Sequence, residues 1–121
     1  MKKITFVAFL LPLVFAACNQ GPDAPVLISP DNGSVLYKGI PFSWNQSPGA
    51  TSYRFEIGTD GVFSTIVVSR ELAGTSCELD DSEYSLFQTE YPYYWHVYAI
   101  ADGVEGPESS VRWFTLGGGK P

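Results

Sequence analysis

The chain has 121 residues, 13 of them acidic and 7 basic, for a formal charge of −6 at neutral pH. That length holds one domain. The acidic balance leaves no basic stripe for a nucleic-acid backbone, and it disfavours attraction to anionic lipid head groups.

The first residues read MKKITFVAFLLPLVFAAC. Two lysines, an apolar run and a pair of small residues before a cysteine form an export signal over residues 1–17. The run from Ile4 to Ala17 has 14 residues, whereas a helix crossing a bilayer core needs roughly 20. It also lacks the polar face of a surface helix. Phe15-Ala16-Ala17-Cys18 resembles the lipobox of bacterial lipoproteins, with Phe15 where the family prefers leucine. The resemblance implies cleavage before Cys18, a diacylglycerol on its thiol and acylation of the new amine. Asn19, rather than aspartate, then implies the outer membrane or cell surface. Two or more acyl chains hold a protein on a bilayer where one, at about 0.8 kcal/mol per buried CH₂, does so only marginally. With ordinary secretion and cleavage nearby, Cys18 would instead stay a free thiol. Losing Lys2 and Lys3 with the leader takes the formal charge from −6 to −8.

Residues 18–24 are polar and proline-containing and read as a tether. From residue 25 to 116, short β-type runs alternate with turn residues. Seven strands are expected: Val26–Ile28, Ile40–Trp44, Tyr53–Ile57, Phe63–Ser69, Thr75–Leu79, Tyr93–Ala101 and Val111–Leu116. Their spacing of roughly 8–12 residues points to an all-β sandwich. A short helical turn is expected within Asp80–Gln88, capped by Asp81 or Ser82. Residues 117–121 form a flexible tail. Alternation within the runs selects a core of Ile28, Phe42, Trp44, Tyr53, Phe55, Ile57, Leu79, Trp95, Val97, Ala99 and Phe114. Cys77 has no partner once Cys18 carries lipid, so no disulfide is expected.

Four stretches in order resemble the fibronectin type III family. They are Pro25-Val26-Leu27-Ile28-Ser29-Pro30 with Asn32-Gly33, then Phe42-Ser43-Trp44, Ala50 to Ile57, and Tyr93-Tyr94-Trp95-His96-Val97-Tyr98-Ala99. The resemblance spans 25–116 and implies a seven-stranded immunoglobulin-like sandwich preceded by the signal peptide. It also implies that the Tyr93 hydroxyl bonds backbone at a corner, which a buried phenol needs. Such domains serve as spacers, adhesion modules and binding modules, so the fold leaves function open.

Catalysis is disfavoured by the residues themselves. His96 is the sole histidine, and alternation sends it outward while Cys77 points inward, beyond hydrogen-bond reach. No G-x-S-x-G elbow is present. Asp80-Asp81-Ser82-Glu83 lacks the spaced pattern of a calcium loop, so no metal or other cofactor is expected. One face remains. Tyr94, His96 and Tyr98 should project from one side of their strand, with Trp113, Arg54 and Glu56 beside them. Exposed Trp, Tyr and Arg suit contact with a protein or a sugar. The expected function is a lipid-anchored, non-catalytic envelope module that recognises a protein or glycan. The alternative is a structural spacer with no small ligand.

Overall fold

Alternating apolar side chains need a second sheet to cover them, and two sheets form. The structure is a computed structural model and describes residues 21–117. The leader, Cys18 and the last four residues of the tail lie outside the described residues. In chain order the elements are β1 (Leu27–Ser29), β2 (Ser34–Leu36), β3 (Phe42–Trp44), β4 (Ser52–Gly58), β5 (Ile66–Leu72), β6 (Ser76–Cys77), α1 (Asp81–Tyr84), β7 (Tyr93–Ala101), β8 (Val104–Glu108) and β9 (Arg112–Leu116). The smaller sheet runs β1-β3-β6. The larger runs β2-β9-β7-β4-β5, with β8 also paired to β7. No helix among the described residues is long and apolar enough to cross a membrane.

Nine strands form among the described residues, where the sequence suggested seven. The additions are β2 and β8. β2 runs parallel to β9 and places Leu36 beside Leu116, where both are buried. β8 follows an Asp102-Gly103 turn with both residues at positive φ, 52° and 79°. This is the backbone that a two-residue hairpin demands.

The core is aromatic. Phe42 lies 5.0 Å from both Phe55 and Trp95, ring centre to ring centre. Trp44 stacks on Phe55 at 6.0 Å and meets Tyr53 edge-on. Such tilted and offset contacts add to the area buried. Ten of the eleven expected core residues are buried; Ile28 is not, at 48% exposed. Leu27 takes its place opposite Trp44, and the β1–β3 register shifts between Leu27 and Ser29. In so short a strand a one-residue slip moves every side chain to the other face.

Two tyrosine hydroxyls anchor loops to this core. Tyr93 accepts from the Gln88 backbone N–H at 2.9 Å, and its ring meets Phe87 edge-on at 4.6 Å. Tyr53 accepts from the Ser47 N–H at 3.0 Å. The helix is only Asp81–Tyr84, and its cap is Asp80, not Asp81 or Ser82. Asp80 accepts from the Glu83 N–H while Glu83 accepts from the Asp80 N–H, a reciprocal capping box that satisfies two backbone donors at the start of the turn.

Candidate functional site

The register of β4 and β7 decides which side chains meet on the outer face of the larger sheet. Arg54 pairs with Tyr98, Glu56 with His96, and Gly58 with Tyr94. Tyr94 pairs in turn with Trp113 on β9. All six residues of the expected face therefore sit on one surface, opposite the aromatic core.

Their exposure differs from expectation. His96 is 2% exposed and Glu56 3%, so neither is part of an open surface. The cause is the segment between β4 and β5. Asp60 accepts hydrogen bonds from the Val62 and Ser64 N–H groups, which folds the loop back over the sheet. Phe63 then lies flat on the His96 imidazole, 3.6 Å away and inclined by 11°. Phe63 holds a positive φ of 58°, a conformation that is costly for a bulky side chain. Gly58 makes the room, since a methyl group there would lie 2.8 Å from the Phe63 ring.

Beneath this roof lies a chain of charges. His96 Nε2 is 2.8 Å from Glu56 Oε1, and Nδ1 is 2.5 Å from Glu108 Oε2. Both ring nitrogens face carboxylate oxygens, so both bonds exist together only when each pair shares a proton. Arg54 contacts the second oxygen of Glu56 and grips Glu105 with two donors, at 2.7 and 2.8 Å. Its guanidinium also sits 4.6 Å above the Tyr98 ring. The bidentate bond to Glu105 leads the causes that push the Arg54 pKa up. Burial pushes the Tyr98 hydroxyl up from its ordinary value. Glu56 is shared between Arg54 and His96, while the partly exposed Glu105 and Glu108 hold the outer sides of the two.

The arrangement leaves a pocket of about 430 Å³ between the β4–β5 loop and the sheet, lined by Arg54, Glu56, Phe63, His96, Tyr98 and Glu108, with Val62 and Ile66 at its apolar side. Its volume is in the range of small-ligand sites. Tyr94 is half-buried, and Trp113 is 39% exposed beside Gly33. Glu105, Glu108 and Phe63 were not among the expected site residues. Phe63 reads in the sequence as the start of a strand, and the glutamates fall in a Gly-Pro-containing stretch that breaks alternation.

Other candidate chemistry is engaged in holding the fold. The Glu83 carboxylate binds Arg70, Asp81 meets Lys38 at 2.5 Å, and Asp80 caps α1. No group of three or more His, Cys, Asp or Glu suited to a metal ion is found among the described residues. Cys77 is half-buried, and burial pushes its thiol up to about 11. A thiol so rarely ionised is a poor nucleophile near neutral pH.

No protein-family model and no curated protein matches the sequence. Solved structures do. An Fn3-like protein from Clostridium thermocellum superposes with a TM-score of 0.58 at 22% identity, over 84% of this chain and 99% of that one. A fibronectin type III domain derived from the human KIAA0970 protein gives 0.58 at 16% identity, over 100% and 89%. The sixth such domain of human fibronectin type III domain containing protein 3 gives 0.54 at 23% identity, over 84% and 92%. The fold is fibronectin type III-like. At these identities the likeness carries the architecture and no activity.

Proposed function

We propose that the protein is a lipid-anchored, non-catalytic binding module of the bacterial cell envelope, at the outer membrane or cell surface. It recognises a protein or glycan partner through the outer face of its larger sheet. The observation that carries this reading is the pocket on that face, where aromatic walls meet charged side chains held in fixed positions. A concave site of this size whose polar groups are held in fixed orientation is a common feature of recognition sites. Anchoring rests on the likeness of Phe15-Ala16-Ala17-Cys18 to a lipobox. The buried histidine is consumed by two carboxylates and the Cys77 thiol is kept protonated, so neither offers a ready nucleophile or base.

A structural spacer is the competing reading. It is favoured by one fact: Arg54, Glu56 and His96 satisfy one another without any ligand. Replacing Tyr94, Tyr98 and Trp113 together by serine distinguishes the two. A glycan array and cross-linking in intact envelopes should each lose their strongest signal with the folded triple variant. Unchanged contacts in both assays would leave the face as scaffold only.

A further inference from the structure

The chain enters the domain against β8. Pro22 is buried, and its carbonyl oxygen would lie 2.0 Å from a methyl group placed on Gly106. A methyl on Gly21 would lie 2.7 Å from the Gly106 nitrogen, and Gly21 has a φ of 77°. Two glycines therefore let backbone pack on backbone, and the entry point of the tether is fixed rather than free. Two residues, Asn19 and Gln20, lie between Cys18 and Gly21, so the steps that join them span at most ~11 Å.

Gly106 follows Glu105, which pairs with Ile100 on β7. Ile100 pairs with Ser52 at the start of β4, while Tyr94 pairs with Gly58 at its end. The entry point thus lies at the end of the larger sheet that carries the Asp102-Gly103 turn and the β3–β4 loop. The β4–β5 loop lies at the other end, roughly 20 Å away along the seven residues of β4.

We infer that the domain stands on the bilayer with the Asp102-Gly103 turn and the β3–β4 loop against the head groups. This rests on the lipid-anchor reading of Cys18. The pocket then opens sideways, with Arg54 and Glu105 nearer the membrane and Phe63 farther from it. The surface that meets the bilayer, Asn45–Thr51 and Ala101–Val104, contains no lysine or arginine; it contains Asp102, and Asp23 and Glu105 lie in the neighbouring stretches. Charge therefore fits a zwitterionic head-group layer, with its ammonium groups outward, and disfavours an anionic one.

The test uses the mature lipidated protein in phosphatidylcholine nanodiscs that carry a head-group spin label. Amide signals of Gly49, Gly103 and Gly106 should broaden strongly, and those of Gly61 and Tyr91 should stay sharp. Replacing half the lipid with phosphatidylglycerol should weaken the broadening. Inserting about twenty Gly/Ser residues after Asn19, which lengthens the leash by roughly 25 Å, should remove it without touching the fold. Gly106→Val, which displaces Pro22, should do the same. The mass of the protein separates two failures. Absent acyl chains would remove the anchor and this orientation together. Acyl chains present, with equal or reversed broadening at the two ends, would overturn the orientation alone.

Discussion

Single side chains here show how far alternation reaches. Trp95 and His96 are neighbours on β7, and period two sends one into the sandwich and the other to the outer face, as the register shows. What alternation could not convey is that a ring from elsewhere would cover the outer one. Phe63 arrives through a loop whose shape depends on Asp60 and on the missing side chain of Gly58, and neither signal has a period. Removing that ring should therefore open the site without unfolding the sheet. In Phe63→Ala, His96 should react with diethylpyrocarbonate at least tenfold faster than in the parent, read by mass at the protein's sole histidine; equal rates would mean that the roof is not what shields it. Cys77 gives a second residue-level expectation. Its thiol is pushed by burial from 9.0 to about 11, so the folded state favours the protonated form. The associated stability is fully present below pH 9, and it is lost as pH rises through about 11. Alkylation of Cys77 by iodoacetamide at pH 8 should accordingly run well below the rate for a cysteine in an unfolded peptide, and rise to it in denaturant.

At the level of elements, the sequence showed most of what it had to. The aromatic runs of β3, β4 and β7 announced themselves because both hydrophobic pattern and β propensity agree there. β2 was invisible because three residues, Ser34–Leu36, are too few to show a period. β8 was hidden by Gly106 and Pro107, whose presence argues against a strand by composition. The tether seemed independent of the domain for a related reason: the packing of Pro22 on Gly106 is a contact between two backbones, which no side-chain pattern encodes. The corner before β7 was legible through the family resemblance, which implied a bond between the Tyr93 hydroxyl and backbone, and the Gln88 N–H supplies it. That bond can be weighed alone. Tyr93→Phe keeps the ring against Phe87 and Phe114 but leaves the N–H without its partner, so unfolding in urea should show a loss of about 1 kcal/mol with an unchanged slope. The capping box of α1 belongs to the same scale. Four residues form no helix unaided, and this one persists because Asp80 and Glu83 close its first turn while Glu83 also grips Arg70 on β5.

For the whole molecule, the layout of edges matters more than any single contact. The smaller sheet ends in β1 and β6, with three and two residues, and the larger sheet ends at one side in the three-residue β2. Short edges offer little to a wandering strand. β8 carries Pro107, which cannot donate to a new neighbour. β5 is different. It has seven residues, pairs only with β4 and contains no proline. Ile66 is exposed and Val67 half-buried near its start, and the charges of Arg70 and Glu71 protect only its later half. The first half is therefore the place where two copies, or one copy and an unfolded chain, would add strand to strand when the sandwich loosens on heating. A lysine at that point should supply the missing protection, as inward or edge charges do in sheets generally. Ile66→Lys costs little burial, because the side chain is already 44% exposed, so the unfolding midpoint should move by only a few degrees at most. Light scattering on a thermal ramp should nonetheless begin at a higher temperature than in the parent. Lysine in place of Val62, which is 83% exposed but lies in the β4–β5 loop off any strand edge, serves as the control and should leave the onset where it was. Equal gains from both substitutions would mean that added charge acts through solubility alone, and that β5 is no more open to pairing than the rest of the surface.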